Sequence, residues 1–129
     1  MDENFTITNT TKSTPPSVPF VSIKEKVLGE KYRLSLVFIG DKKSQNLNNS
    51  YRGKNKPTNC LSFALDENSG EIFLNLGKAK KEAPDFDKNF ENFVAFLFIH
   101  SCLHLKGFEH SSKMEKAEAK LLKQFPVIK

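Results

Sequence analysis

The sequence predicts a single α/β (α+β) domain in which a mixed sheet of about four strands packs against a buried central helix and further helices. Residues 32–39 (YRLSLVFI) are apolar on both faces in their second half, as a covered central strand requires. Residues 59–65 and 71–76 flank a turn and predict a hairpin. Residues 87–105 are mostly apolar and contain no glycine or proline, so they predict the buried helix.

The N-terminal third predicts a short strand, a loop and a short helix. Residues 5–8 alternate apolar and polar side chains, which is typical of an edge strand. Residues 8–19 are rich in threonine, serine and proline and predict a long surface loop. Residues 21–28 predict the helix. We therefore take residues 1–129 as one domain in which residues 1–19 form a poorly anchored strand and loop.

Capping and terminating residues predict two further helices. Residues 42–51 form a polar helix for which Asp41 is the expected N-cap. The last helix begins at Ser112, because Ser112 and Glu115 have the spacing of a capping box. Pro126 is expected to stop this helix.

Charge is concentrated in two basic blocks of the chain. The 129 residues contain 20 Lys and Arg against 15 Asp and Glu, a formal net charge of +5. Residues 42–65 contain five basic residues and no acidic residue, and residues 106–129 contain six basic against three acidic residues. This distribution favours a polyanionic partner, although a solvated lysine-rich surface has the same composition. If the partner is real, we expect the positive charge to line a groove.

Cysteine content and hydropathy predict a cytoplasmic protein. Cys60 and Cys102 cannot form the disulfide framework of a small secreted protein. The N-terminus lacks the basic and apolar regions of a secretory signal. The longest apolar run, residues 93–99, is too short to cross a membrane.

All three histidines of the chain lie within residues 100–110, which read His-Ser-Cys-Leu-His-Leu-Lys-Gly-Phe-Glu-His. His100 and His104 are four residues apart, so a helix places both imidazoles on one face. Gly107 permits a left-handed turn that returns the chain and brings His110 to a third ligand position. Three imidazoles predict a zinc site with one open position, as in catalytic centres. Nickel, copper and iron also accept imidazole ligands, and packing or pH-sensing histidines are the alternative to a metal site.

The spacing matches the extended metalloprotease signature, but one residue differs. Metalloproteases need a glutamate as general base directly after the first histidine. Here that position is Ser101, which disfavours peptide hydrolysis. Glu109 is expected to act as a hydrogen-bond partner of a metal ligand or as a base, or else to be a solvated loop acid. Cys102 is predicted to point into the core.

A basic segment precedes the predicted hairpin. Arg52, Lys54 and Lys56 lie around a glycine between the polar helix and the next strand. They are candidates for binding a phosphate backbone, and Arg52 is preferred because its planar fork binds two phosphate oxygens. An activated water beside a cation suits phosphodiester hydrolysis.

The chain resembles the YbeY endoribonucleases, bacterial metalloenzymes of ribosomal RNA maturation. Residues 100–110 match the motif H-G-x-L-H-L-x-G-Y-D-H. Residues 47–63 match L-N-x-x-Y-R-x-K-D-x-P-T-D-V-L-S-F, and residues 70–72 match G-D/E-I. The resemblance runs from about residue 32 to residue 125.

The resemblance implies a single-strand-specific endoribonuclease in 16S rRNA 3′-end maturation and ribosome quality control. It implies one Zn²⁺ per chain, or another divalent metal such as Ni²⁺, with single-stranded RNA and the small ribosomal subunit as partners and neither membrane nor DNA. The implied catalytic residues are Arg52 and the three metal ligands, His100, His104 and His110. Lys54 and Lys56 join Arg52 in substrate binding. The alternatives are a metallopeptidase-like hydrolase and a non-catalytic ribosome assembly factor.

The departures from the family pattern do not remove a ligand. Ser101, Phe108 and Glu109 replace glycine, tyrosine and aspartate, and Asn55 and Asn59 stand where aspartate is frequent. Glu109 keeps the charge but adds a methylene, which is expected to shift its hydrogen bond. The two asparagines are expected to leave the loop around Arg52 more positive than usual.

Overall fold

This computed structural model describes residues 4–108 and 111–125, in which four strands lie before residue 76 and three of the five α-helices follow them. The strands are β1 (Phe5–Asn9), β2 (Arg33–Ile39), β3 (Cys60–Asp66) and β4 (Ser69–Asn75). The α-helices are α1 (Phe20–Val27), α2 (Asp41–Arg52), α3 (Leu76–Glu82), α4 (Phe90–Lys106) and α5 (Ser112–Gln124). A 3-10 turn, Ala83–Phe86, joins α3 to the segment before α4.

The four strands form one mixed sheet in the order β1-β2-β4-β3. β1 and β4 both run parallel to β2, whereas β3 pairs antiparallel with β4. The predicted hairpin and the predicted edge strand are therefore confirmed. β3 forms the other edge of the sheet.

Helix α4 is the centre of the core, as predicted. Its mean hydropathy is high because apolar side chains occupy nearly all of its faces, and Phe93, Phe98 and Ile99 have no exposed surface. It packs against α1, α5 and the inner face of the sheet. Gly107 ends the helix with a φ of +110°, a conformation that glycine adopts without steric cost.

Both predicted N-caps are wrong by one residue. Helix α2 begins at Asp41 itself, and its N-cap is Gly40. Asp41 Oδ1 accepts a hydrogen bond from Asn75 Nδ2 at 2.8 Å, so its side chain is used in a contact between elements. Helix α5 is capped by Ser111, whose hydroxyl accepts from the Met114 amide at 3.3 Å. The predicted stop at Pro126 lies outside the described residues.

Helix α3 was not predicted, because the sequence after β4 is short and lysine-rich. Asn75 ends the strand and caps the helix at once, its Oδ1 accepting from the Lys78 amide at 3.1 Å. Leu76, Ala79 and Ala83 bury the inner side of this segment. Within residues 4–108 and 111–125, no helix is both long and apolar enough to cross a membrane.

Candidate metal centre

Helix α4 carries two histidines whose ring nitrogens face each other. The Nε2 atoms of His100 and His104 are 3.1 Å apart, and the two rings are nearly perpendicular. Both side chains are partly buried. The helical spacing therefore produces the paired arrangement that the sequence predicted for these two residues.

The separation of these two nitrogens fits chelation of a single ion. With zinc–nitrogen bonds of roughly 2.0–2.1 Å and tetrahedral angles, two ligand nitrogens are about 3.3 Å apart. Two imidazole donors suit zinc and its transition-metal neighbours. His110 and Glu109 lie outside the described residues, so the third ligand and its predicted partner stay predictions. Among the residues that are described, no group of three or more His, Cys, Asp or Glu side chains could hold a metal ion.

The opposite nitrogen of each imidazole has a hydrogen-bond acceptor. His100 Nδ1 donates to the carboxylate of Glu118, and His104 Nδ1 donates to the carbonyl oxygen of Phe108 at 3.1 Å. An ionised carboxylate and a carbonyl can only accept, so each Nδ1 carries the proton. In the neutral imidazoles, both Nε2 atoms are then the unprotonated nitrogens that metal ligation requires.

Glu118 is a site residue that the sequence reasoning missed. It lies on α5, is buried, and reaches His100 across the packing between α5 and α4. A signal was present, because Glu118 is four residues after the buried Met114 and so falls on the core-facing side of the helix. An acidic residue in an apolar stripe needs a partner, and here the partner is His100.

The histidines line a cavity of about 170 Å³ between α4 and the start of β3. Arg52, the last residue of α2, lines the same cavity. The remaining lining residues are Thr58, Asn59, Cys60, Leu61, Ser62 and Ser101. Lys54 and Lys56 are exposed in the loop beyond Arg52. The fold thus joins the predicted arginine to the predicted histidines and leaves the two lysines on the adjoining surface.

Buried polar side chains of α2 hold this basic loop in place. Ser44 Oγ donates to the Thr58 carbonyl at 2.7 Å and accepts from the Thr58 amide at 2.8 Å. Asn48 Nδ2 donates to the Lys56 carbonyl at 2.9 Å. Gly53 ends α2 with a φ of +70° and lets the chain turn back. The loop that follows Arg52 is therefore hydrogen-bonded to α2, the helix that ends at Arg52.

Comparison with known proteins identifies the family. The family model described as endoribonuclease YbeY matches residues 3–126. The chain belongs to the YbeY family. The endoribonuclease YbeY of Aster yellows witches'-broom phytoplasma is 39% identical over 105 residues, which cover 74% of this chain and 68% of that protein. That of Pseudoalteromonas translucida is 35% identical over 129 residues, covering 88% and 84% of the two chains.

A solved structure is similar in fold to this YbeY chain. The solution structure of a Thermotoga maritima protein has a TM-score of 0.68 over 93% of this chain and 87% of that protein, at 23% identity. The likeness shows the fold alone. The predicted family and the predicted fold class are both confirmed.

Asn59 and Ser101, which depart from the YbeY motifs, both line the cavity. Asn59 Nδ2 donates to Glu82 Oε1 at 2.8 Å, so a carboxylate of α3 lies beside the loop where the family often has aspartate. The expectation of a more positive loop is thereby weakened. Ser101 is buried, and its hydroxyl opposes the rise in the pKa of the Cys60 thiol.

The pKa values of both thiols in this YbeY chain are raised. Burial raises the pKa of Cys60, opposed by the Ser101 hydrogen bond and by the charge of Arg52. Burial also raises the pKa of Cys102, which is fully enclosed in the core as predicted. Both thiols hold their protons more tightly than a free cysteine does, which favours the imidazoles as metal donors.

Proposed function

We propose that this chain is a metal-dependent endoribonuclease that hydrolyses phosphodiester bonds of single-stranded RNA. The observation that carries the proposal is the pair of facing Nε2 atoms, 3.1 Å apart, in a cavity that Arg52 also lines. Membership of the YbeY family and the names of its relatives supply the class of reaction.

His100 and His104, with His110, would hold the metal. Zinc bound by three imidazoles supplies Lewis acidity and an activated water near neutral pH. The chain's part is orientation, because Glu118 and the Phe108 carbonyl fix each ring by its Nδ1. The rings are then positioned before the metal arrives, which lowers the cost of binding it.

Arg52 stabilises the charge that develops on the phosphate. Its guanidinium donates in a planar fork to two phosphate oxygens and stays protonated throughout. Such a donor acts most strongly when it is already positioned in the site. The hydrogen bonds of Ser44 and Asn48 hold the backbone of the loop that follows Arg52.

Peptide hydrolysis is not favoured by this site. The residue after His100 is the buried Ser101, whose hydroxyl is no base at neutral pH. A metalloprotease needs a carboxylate there.

The family context extends the proposal to a cellular role. We propose that the RNA is 16S rRNA, cleaved in 3′-end maturation and ribosome quality control on the small ribosomal subunit in the cytoplasm. One Zn²⁺ per chain, or a similar divalent metal such as Ni²⁺, would serve the reaction. The five basic residues within residues 42–65 provide the attraction to a polyanion.

Metal analysis and RNA cleavage together test the proposal. Protein purified without chelators is expected to contain about one metal ion per chain and to cleave unstructured RNA. His104→Ala and chelation should both abolish cleavage, and Lys120→Ala, an exposed change on α5, should not. Cleavage that survives His104→Ala would belong to a contaminant. Hydrolysis of unstructured protein without cleavage of RNA would show a peptidase instead.

A further inference from the structure

An exposed tyrosine stands beside the arginine of the cavity and has no part in the chemistry proposed above. Tyr51 is 67% exposed, although it belongs to the last turn of α2 and large aromatic side chains are seldom left so open. Its ring contacts that of Phe63 on β3, with centroids 4.7 Å apart. Phe63 in turn packs edge-on against Phe73 at 5.9 Å. We call these three residues the aromatic platform.

The aromatic platform lies on the other side of the edge strand from the metal centre. Side chains alternate along a strand, so Phe63 projects to the face opposite Ser62, which pairs with the core residue Ile72. β3 is an edge strand, and a chain can therefore pass from one face to the other around it. Tyr51 directly precedes Arg52, so the two Cα atoms are about 3.8 Å apart. One extended ligand can reach both residues.

The positive charge beside the aromatic platform favours a polyanionic ligand. Arg52, Lys54 and Lys56 follow Tyr51 directly, and residues 42–65 contain no acidic residue. Glu71 on β4 pairs with Phe63, and its negative charge disfavours a phosphate at the aromatic platform. The phosphates of a bound strand would therefore lie near Arg52, and a base would lie on the Tyr51 ring. An open aromatic face next to several cations is the arrangement by which proteins bind unpaired bases.

Resting on the proposed function, we propose that the aromatic platform is a stacking subsite for an unpaired base of single-stranded RNA, next to the nucleotide held by Arg52. The base stacks on Tyr51, and Phe63 and Phe73 support that ring from the sheet. A duplex cannot occupy the subsite, because its bases are already stacked on each other. The subsite would therefore contribute to a preference for single strands.

Binding of a short unstructured RNA that carries 2-aminopurine tests the subsite, since stacking quenches this base. The RNA has phosphorothioate linkages, which hydrolyse slowly, so that binding is measured in the intact protein. Tyr51→Ala should weaken binding roughly 5- to 150-fold and remove the quenching, the range expected for one stacked base. Tyr51→Phe keeps the aromatic ring and should keep both the affinity and the quenching. Phe86→Ala, which removes another exposed aromatic ring, on the 3-10 turn after α3, should bind like the wild type.

The dependence of binding on salt separates stacking from charge. Tyr51→Ala should leave the slope of log affinity against log salt unchanged, whereas Lys54→Ala should reduce it by about 0.7. Wild-type affinity in Tyr51→Ala, or an equal loss of affinity for the duplex of the same sequence, would overturn the subsite. If the wild type cleaves RNA and Tyr51→Ala still binds it fully, the subsite fails and the proposed function stands. If the wild type neither binds nor cleaves RNA, the proposed function fails first.

Discussion

Glu118 accepts a hydrogen bond from Nδ1 of His100 and so joins helix α5 to the histidine face of α4. The two residues are eighteen positions apart in the sequence. A carboxylate on the outer nitrogen of a ligand histidine holds its tautomer and its orientation, and it also raises the basicity of the inner nitrogen. Glu118 thus acts on the metal centre through His100.

Glu118→Gln is expected to weaken metal binding about 10- to 100-fold, the usual effect of losing such a partner. The amide is neutral and can no longer favour the Nδ1–H tautomer as strongly. Competition with a chromogenic chelator measures the affinity directly, without relying on catalysis. Glu115→Gln changes an exposed acid on the same helix and should leave the affinity unaltered. Equal affinities for Glu118→Gln and wild type would show that the contact is only structural.

Arg52→Ala is expected to reduce kcat for RNA cleavage by about 10²- to 10³-fold, because a preorganised donor to the developing charge is lost. Arg52→Lys should recover only part of this loss, since an ammonium cannot make the planar two-point contact. Lys54→Ala removes an exposed cation of the same loop and should raise KM with little change in kcat. Steady-state kinetics on an unstructured RNA separates the two effects. A kcat for Arg52→Ala equal to that for Lys54→Ala would remove Arg52 from the reaction.

Gly70→Ala is expected to destabilise the fold by about 1–3 kcal/mol, the usual cost of overpacking. An added Cβ would lie 2.6 Å from the Tyr32 hydroxyl and 3.0 Å from Leu105 Cδ2. Within the described part of the chain, the buried Tyr32 hydroxyl has no hydrogen-bond partner. Tyr32→Phe should therefore be nearly neutral alone and should restore part of the stability of Gly70→Ala. Urea unfolding of the four proteins gives the coupling, and strict additivity would contradict this account.

Ser111→Ala is expected to lower the free energy of unfolding by about 1 kcal/mol, because it removes the N-cap of α5. The Met114 amide would lose the acceptor that the Ser111 hydroxyl provides. Ser112→Ala is the matched control, since Ser112 is already inside the helix and exposed. Thermal or urea unfolding of both variants decides the matter. A larger loss for Ser112→Ala would restore the capping box that the sequence suggested.

The sequence alone was sufficient for features that depend on local spacing. His100 and His104 face the same way because four residues are about one helical turn, wherever the helix lies. The hairpin of β3 and β4 and the burial of α4 follow from apolar patterning over short ranges. The family motifs depend on the same local order, and the family model confirms them.

Helix caps and the short helix α3 were beyond local reasoning. Asp41 is a residue type that often caps helices, but its carboxylate instead accepts a hydrogen bond from the Asn75 side chain of β4. Two adjacent serines, Ser111 and Ser112, lie at the start of α5, and composition cannot show which of them is the N-cap. Helix α3 is too short to have a clear apolar period, and its start depends on where β4 ends.

The sequence by itself determined the family, the order of the elements other than α3 and its 3-10 turn, and the presence of paired histidines and a basic loop. Only the tertiary structure decided which distant residues meet: Glu118 with His100, Glu82 with Asn59, and Arg52 with the cavity of the histidines. The physical reason is that local spacing sets the direction of a side chain along its own helix or strand. The partner on another element is set by how the elements pack, and that packing depends on the whole core at once.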